Sequence, residues 1–349
     1  MYADASSGSN ITKERKIDRM KKRYLGKSGI EISELSLGGL FTSSLGGDYE
    51  QSKGAVKAAL AGGINFIDTA PAYFNSEEVL GKILKEINPQ EPLIISTKLG
   101  GRPKPFYPQD KDCLMKSVEE SLRLLNRDKI DIMIIHEPDR PGEYDWWTDW
   151  DEFNGPVLEL LKQLKKDGVI KFLGIGGTTA YELARIIRSE HFDVVLTAFN
   201  YSPLWREAEI EVLPEAVKQN MGIIIGSPLQ QGALARRYDE EVNNGAKWLS
   251  SPRRAQYKEF YKFLDEIQMS PPEIGLRFVI SNPDISCVLM GPRSEEEVLQ
   301  NISVIEKGPL SKDILKKLNE IAAMVPFRPY EEPFQMPFGK DYKGPGPAF

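Results

Sequence analysis

Asn65-Phe66-Ile67-Asp68-Thr69-Ala70-Pro71-Ala72-Tyr73 is an apolar run that ends in an acid and leads to a phenol. Leu93-Ile94-Ile95-Ser96-Thr97-Lys98 and Ile130-Asp131-Ile132-Met133-Ile134-Ile135-His136 follow the same plan, with an ammonium and an imidazole at their ends. Each run is short and rich in β-branched residues, the pattern of a strand buried on both faces in a parallel sheet. If the three are neighbours, Asp68, Tyr73, Lys98 and His136 gather at the carboxyl edge of one sheet. An acid, a phenol, an amine and an imidazole at one mouth suit proton transfer to or from a bound carbonyl or alcohol.

Outward from these runs, strand-like and helix-like segments alternate along the chain. Strands are predicted near 34–39, 65–70, 93–98, 130–136, 170–176, 194–200, 221–227 and 286–291. Helices are predicted near 50–62, 76–87, 110–126, 155–167, 179–189, 207–219, 272–281 and 294–303. Eight alternations with short connections predict an α/β protein, a closed (β/α)8 barrel. An open doubly wound sheet would show a glycine fingerprint after its first strand, and Gly38-Gly39-Leu40-Phe41-Thr42 does not fit one. Residues 22–32 alternate around a glycine-containing turn and predict a short hairpin before the barrel. Residues 1–20 read as a disordered leader, 21–325 as the single barrel domain, and 326–349 as an aromatic and proline-rich tail. The long segments 137–155 and 229–269, the second with an extra helix near 253–267, would overhang the mouth where such barrels build their sites.

The 349 residues are 41% hydrophobic and 28% charged, an ordinary globular balance, and the formal net charge of −6 argues against a nucleic-acid surface. Cys113 and Cys287 lie far apart, which points to a reducing compartment with neither structural disulfide nor zinc site. No apolar run approaches the roughly 20 residues a membrane span needs, and no signal core opens the chain. A cytoplasmic protein without membrane or nucleic-acid partners is expected.

A free phenol, with a pKa of about 10, is a poor proton donor or acceptor near neutrality. Lys98 is placed to lower the value for Tyr73 by stabilising phenolate, and Asp68 to hold Lys98 charged and in position. His136 beside a cation should stay neutral and orient a carbonyl oxygen as a hydrogen-bond donor. His191 sits at a helix end, where a charge contact with that terminus suffices. Two histidines without a partner at ligand spacing make a metal site unfavourable.

The run 63–73, with Ser76-Glu77-Glu78-Val79-Leu80-Gly81, Ile95-Ser96-Thr97-Lys98 and Ile134-Ile135-His136, resembles the signature of the aldo-keto reductases. The resemblance extends from Tyr24 to Asn301 and is nearest the sugar-active L-galactose and D-threo-aldose dehydrogenase branch. It implies a barrel that binds a nicotinamide dinucleotide without a Rossmann domain. It also implies Tyr73 as general acid/base, with Asp68, Lys98 and His136 completing a tetrad. Cofactor contacts depart from the family pattern. Gly176 and Gly177 stand where Ser-Asn is common, no glutamine occurs in Leu196-Thr197-Ala198-Phe199-Asn200, and Gly226 replaces a stacking aromatic. Gly176, Gly177 and Asn200 become candidates for the nicotinamide wall, with Ser227 and Leu229 near the pyrophosphate.

Met290-Gly291-Pro292-Arg293-Ser294 precedes a helix, whose first backbone N–H groups welcome phosphate. Arg293 offers a planar fork suited to a 2′-phosphate. By resemblance Glu297 and Asn301 face the adenosine. Arg293 leans the cofactor to NADP(H), which is expected over NAD(H), although Glu297 pulls toward NAD(H).

The leading function is an oxidoreductase interconverting an aldehyde, ketone or lactol-type sugar with its alcohol or lactone. Phe41, Trp146, Trp147, Trp205 and Trp248 are candidate walls for that small carbonyl or sugar substrate. A non-catalytic dinucleotide-binding subunit, like the potassium-channel accessory subunits sharing this barrel, has no need of a tuned phenol. A Schiff-base aldolase would need Lys98 unprotonated, which an Asp68 partner opposes.

Overall fold

The computed structural model describes residues 20–140, 144–246 and 249–327. Residues 1–19 of the expected leader, Trp248, and the tail from 328 onward lie outside the described residues. Strands β1 (Lys22–Tyr24) and β2 (Glu31–Ser33) form the antiparallel hairpin that the alternation predicts. Eight parallel strands then close a barrel in the order β10-β3-β4-β5-β6-β7-β8-β9. They are β3 (Leu35–Gly38), β4 (Phe66–Asp68), β5 (Ile94–Leu99), β6 (Ile130–His136), β7 (Ile170–Gly177), β8 (Val194–Ala198), β9 (Gly222–Gly226) and β10 (Cys287–Met290).

The surrounding helices are α1 (Tyr49–Ala61), α2 (Ser76–Ile87), α3 (Lys111–Leu125), α4 (Pro156–Lys166), α5 (Ala180–Ile187), α6 (Glu207–Ile210), α7 (Val212–Lys218), α8 (Asp239–Asn244), α9 (Ser251–Ile267), α10 (Pro271–Ile280), α11 (Glu295–Glu306) and α12 (Lys312–Ala322). The helix predicted over 207–219 breaks at Glu211, whose φ of −122° leaves the helical range, so α6 and α7 are separate. Two helices lie beyond those expected, α8 and α12. The second is capped by Ser311, whose hydroxyl accepts from Ile314 N, and α9 holds its last turn through Gln256, which donates to the carbonyl of Ile321 at 2.8 Å.

Alternation divides the strand residues into two buried sets. Phe66, Ile94, Ile132, Ile134 and Ile224 pack inside the barrel, together with Leu25 and Ile32 of the hairpin segment. Ile67, Ile95, Met133, Ile135 and Ile225 face the helices. The hairpin closes the amino end. Arg23 donates to the carbonyls of Ile280, Asn282 and Ile285. Gly26, at φ +51°, approaches so closely that an added Cβ would lie 2.2 Å from the backbone of Met221.

The register carries the polar groups up the barrel wall in equal steps. Asp68 is level with Ser96, so Lys98 stands two residues higher on the same inward face. Lys98 is level with Ile134, and His136 again stands two residues higher. This is the stagger that strand tilt imposes on a closed sheet, and it delivers all three groups to one rim.

Candidate active site

Lys98 lies at the centre of the rim. Its amine donates to Asp68 Oδ2 at 2.6 Å and to the Thr69 carbonyl at 2.8 Å, and its side chain is 1% exposed. Ser96 donates to the other Asp68 oxygen at 2.6 Å, so the carboxylate is satisfied on both sides. Tyr73 stands on the turn that joins β4 to α2, and its ring centre is 4.6 Å from the Lys98 amine. The His136 ring meets the Tyr73 ring edge-on, with centroids 5.9 Å apart. The four groups predicted from the strand ends are brought together.

Burial works against charge on Lys98, but Asp68 and then Tyr73 outweigh it and hold the amine above its ordinary pKa. Burial raises the Tyr73 phenol, the Lys98 charge pulls it back, and the net shift is upward. The expected lowering by Lys98 is therefore present but does not win, because desolvation of phenolate is the larger effect. At neutral pH the phenol is a proton donor. Burial, followed by the charges of Lys98 and Arg140, pushes His136 down to about 3, so its ring is neutral, as the sequence predicts.

Asp68 and Tyr73 open onto a cavity of about 600 Å³, a volume in the range of small-molecule sites. Of the residues singled out in the sequence, Phe41, Ser227, Leu229, Gly291, Arg293, Glu297 and Asn301 line it. Gly226 and Gly291 give part of its lining as backbone. A Cβ on Gly226 would come within 3.1 Å of Leu196, and one on Gly291 within 3.0 Å of the Phe41 ring. Arg293 lies over the Phe41 ring, 4.6 Å from its centre. The N–H of Arg293 donates to Glu297 Oε2 at 2.7 Å, and Ser294 caps α11.

Gly176, Gly177 and Asn200 are not on the cavity wall. The space a side chain on Gly177 would take is filled by the Asp139 carboxylate, which a Cβ would meet at 2.6 Å. Asn200 is buried and donates to the Thr178 carbonyl at 3.0 Å and to the Thr197 hydroxyl at 3.2 Å. The tryptophans also fall short of their expected place. Trp146 is wholly buried and donates to the His136 carbonyl at 3.1 Å, so it supports the rim from behind. Trp147 packs on Phe153, and Trp205 lies beneath the Arg253 guanidinium at 4.4 Å. Large rings lose most free energy in water and were drawn into the layer under the long segments.

Sequence reasoning passed over Arg236 and Tyr238, which line the cavity from the segment after β9. The Arg236 guanidinium sits over the Tyr238 ring at 4.8 Å. The signal was Ala235-Arg236-Arg237-Tyr238, two successive cations in a segment already placed over the mouth. Arg237 turns away to Asp239, leaving Arg236 to face inward.

A protein of Schizosaccharomyces pombe named for a voltage-gated potassium channel beta subunit is 27% identical over 338 residues, covering 87% of this chain and 94% of its own. L-galactose dehydrogenase of Arabidopsis thaliana is 28% identical over 317 residues, covering 88% and 95%. NADH-specific methylglyoxal reductase of Escherichia coli is 26% identical over 321 residues, covering 82% and 94%. The family model described as Aldo/keto reductase family matches residues 34–323, a span that begins beside β3 and runs past the end of α12. Because that span takes in the closed barrel and every residue of the Asp68, Tyr73, Lys98 and His136 cluster, the chain belongs to the Aldo/keto reductase family.

Proposed function

We propose that the protein is a nicotinamide-dinucleotide oxidoreductase that interconverts a carbonyl compound, an aldehyde or a sugar, with its alcohol or lactone. The observation that carries this reading is the Tyr73 phenol, open to the cavity and 4.6 Å at ring centre from a buried, Asp68-held ammonium. A nicotinamide dinucleotide held along Ser227, Arg293, Glu297 and Asn301 would supply or accept a hydride. Tyr73 handles the proton on the substrate oxygen, donating it during reduction and removing it during oxidation. Lys98 stabilises the phenolate left by donation, and Asp68 keeps Lys98 charged. Neutral His136 orients the oxygen through a ring N–H.

The Gly226 backbone and the polar groups of Ser227, Arg236, Arg293, Glu297 and Asn301 fit an extended dinucleotide. NAD(H) is the form these residues favour, against the lean that Arg293 alone gives. Glu297 lines the cavity and is fixed by the Arg293 N–H, so a 2′-phosphate would face its carboxylate. A ribose 2′-hydroxyl can instead donate to it.

The similarity to a potassium channel beta subunit supports a second reading, a binding subunit of the same fold. Turnover decides between them. Sugars and simple aldehydes assayed with NAD, NADH, NADP and NADPH should show cofactor-dependent absorbance change with at least one pair. Dinucleotide binding without turnover on any of them would favour the second reading.

A further inference from the structure

We infer that Glu77 and Arg102 form a positioning pair that sets Tyr73 against Lys98. Glu77 lies in the first turn of α2, four residues after Tyr73, and its side chain is 1% exposed. Its Oε1 accepts from the Thr97 hydroxyl at 2.6 Å, and its Oε2 pairs with the Arg102 guanidinium. Thr97 immediately precedes Lys98 and points outward where Lys98 points inward. Arg102 follows β5 by three residues. One buried carboxylate thus grips the chain on both sides of Lys98 while sitting on the helix that begins just after Tyr73.

The turn between these anchors is held locally by the Tyr73 N–H on the Ala70 carbonyl at 3.1 Å and the Ser76 N–H on the Tyr73 carbonyl at 2.9 Å. Ala72 and Phe74 are exposed, and Phe74 takes φ +52°, an uncommon value for a side chain of that size. Its near end is held by Thr69, whose hydroxyl shares a 2.8 Å hydrogen bond with Ser76, and Ser76 donates to the Gly39 carbonyl at 2.6 Å. Neither contact reaches β5. The Thr69 backbone bonds Ser96 and Lys98 of β5, and Ala72 packs near Gly101; to these the Glu77 carboxylate adds a side-chain join that holds Thr97 and Arg102 together. An ion pair of this kind is weak evidence for stability, while misplacing a reacting group by about 1 Å can cost 100-fold in rate.

This role presupposes Tyr73 as the acid/base group, and that premise fails separately if Tyr73→Phe turns over normally. The test uses the full chain with Glu77→Gln, Arg102→Met and Arg102→Lys, assayed for carbonyl reduction across pH. Tyr73 is faced by Lys98, Asp68, Glu137 and the His136 ring, so a looser hold of Lys98 lets the phenol rise further. For Glu77→Gln and Arg102→Met, kcat should fall about 10-fold or more, with dinucleotide Kd from tryptophan fluorescence within about twofold of wild type. The alkaline limb of their rate profile should move to higher pH, and Arg102→Lys should restore most of kcat. Should Glu77→Gln not fold, the two Arg102 variants carry the test. Folded variants with lower melting temperature but unchanged kcat and pH profile would overturn it.

Discussion

The Lys98 amine stands 4.6 Å from the centre of the Tyr73 ring, near enough for its charge to oppose the desolvation that raises the phenol. Desolvation wins, so Tyr73 rests protonated.

Tyr73→Phe keeps the ring and its packing but removes the exchangeable proton. Turnover should fall by about 10²- to 10⁴-fold, the usual worth of general acid–base catalysis, with dinucleotide affinity near wild type. Steady-state kinetics beside fluorescence titration checks both halves. Normal turnover in this variant would take Tyr73 out of the chemistry.

Lys98→Met isolates the ion pair. It leaves the Asp68 carboxylate buried, with the Ser96 hydroxyl but no cation. Uncompensated burial of one charge typically costs about 3–5 kcal/mol, so denaturant unfolding should show a loss of that order. Adding Asp68→Asn should recover part of the stability and none of the turnover. If the double variant is less stable than Lys98→Met, the carboxylate was not the source of the loss.

The barrel was legible because each strand is a continuous apolar run, and the rim because polar residues end three successive runs. Asp68, Lys98 and His136 depend only on strand register, which those runs determine. Trp146, Trp147 and Trp205 could not be placed the same way, because segments after strands have no period to say which face is inward. Gly177 misled for a related reason. Its vacated space is taken by Asp139 from the neighbouring β6–α4 segment, a contact across strands that a single sequence does not display. Arg236 was missed because its inward turn depends on Arg237 finding Asp239.

His136 should not titrate through the neutral range. Burial and the charges of Lys98 and Arg140 hold it at about 3, against an ordinary value near 6.5. Between those values the unfolded chain binds more protons than the folded one, so this residue's contribution to stability is present above pH 6.5 and lost as pH falls toward 3. Its imidazole C–H resonances should stay constant from pH 5 to 8, and no limb of the rate profile in that range should disappear in a His136 variant. A midpoint near 6.5 would mean that the ring is solvated and distant from the ammonium.

Glu297 gives the sharpest handle on the cofactor. Its carboxylate is fixed by the Arg293 N–H at the start of α11, while the Arg293 guanidinium lies across Phe41. Removing the negative charge should relieve repulsion of a 2′-phosphate placed to pair with the Arg293 guanidinium. Glu297→Gln should therefore tighten NADPH binding by about tenfold, roughly 1.4 kcal/mol, and change NADH binding much less. Arg293→Ala in that background should reverse the gain, since a bidentate fork is what a phosphate uses. Calorimetric titration of the two cofactors reads this without any substrate. Wild-type protein that already binds NADPH more tightly than NADH would show that Arg293, not Glu297, governs this end of the cavity.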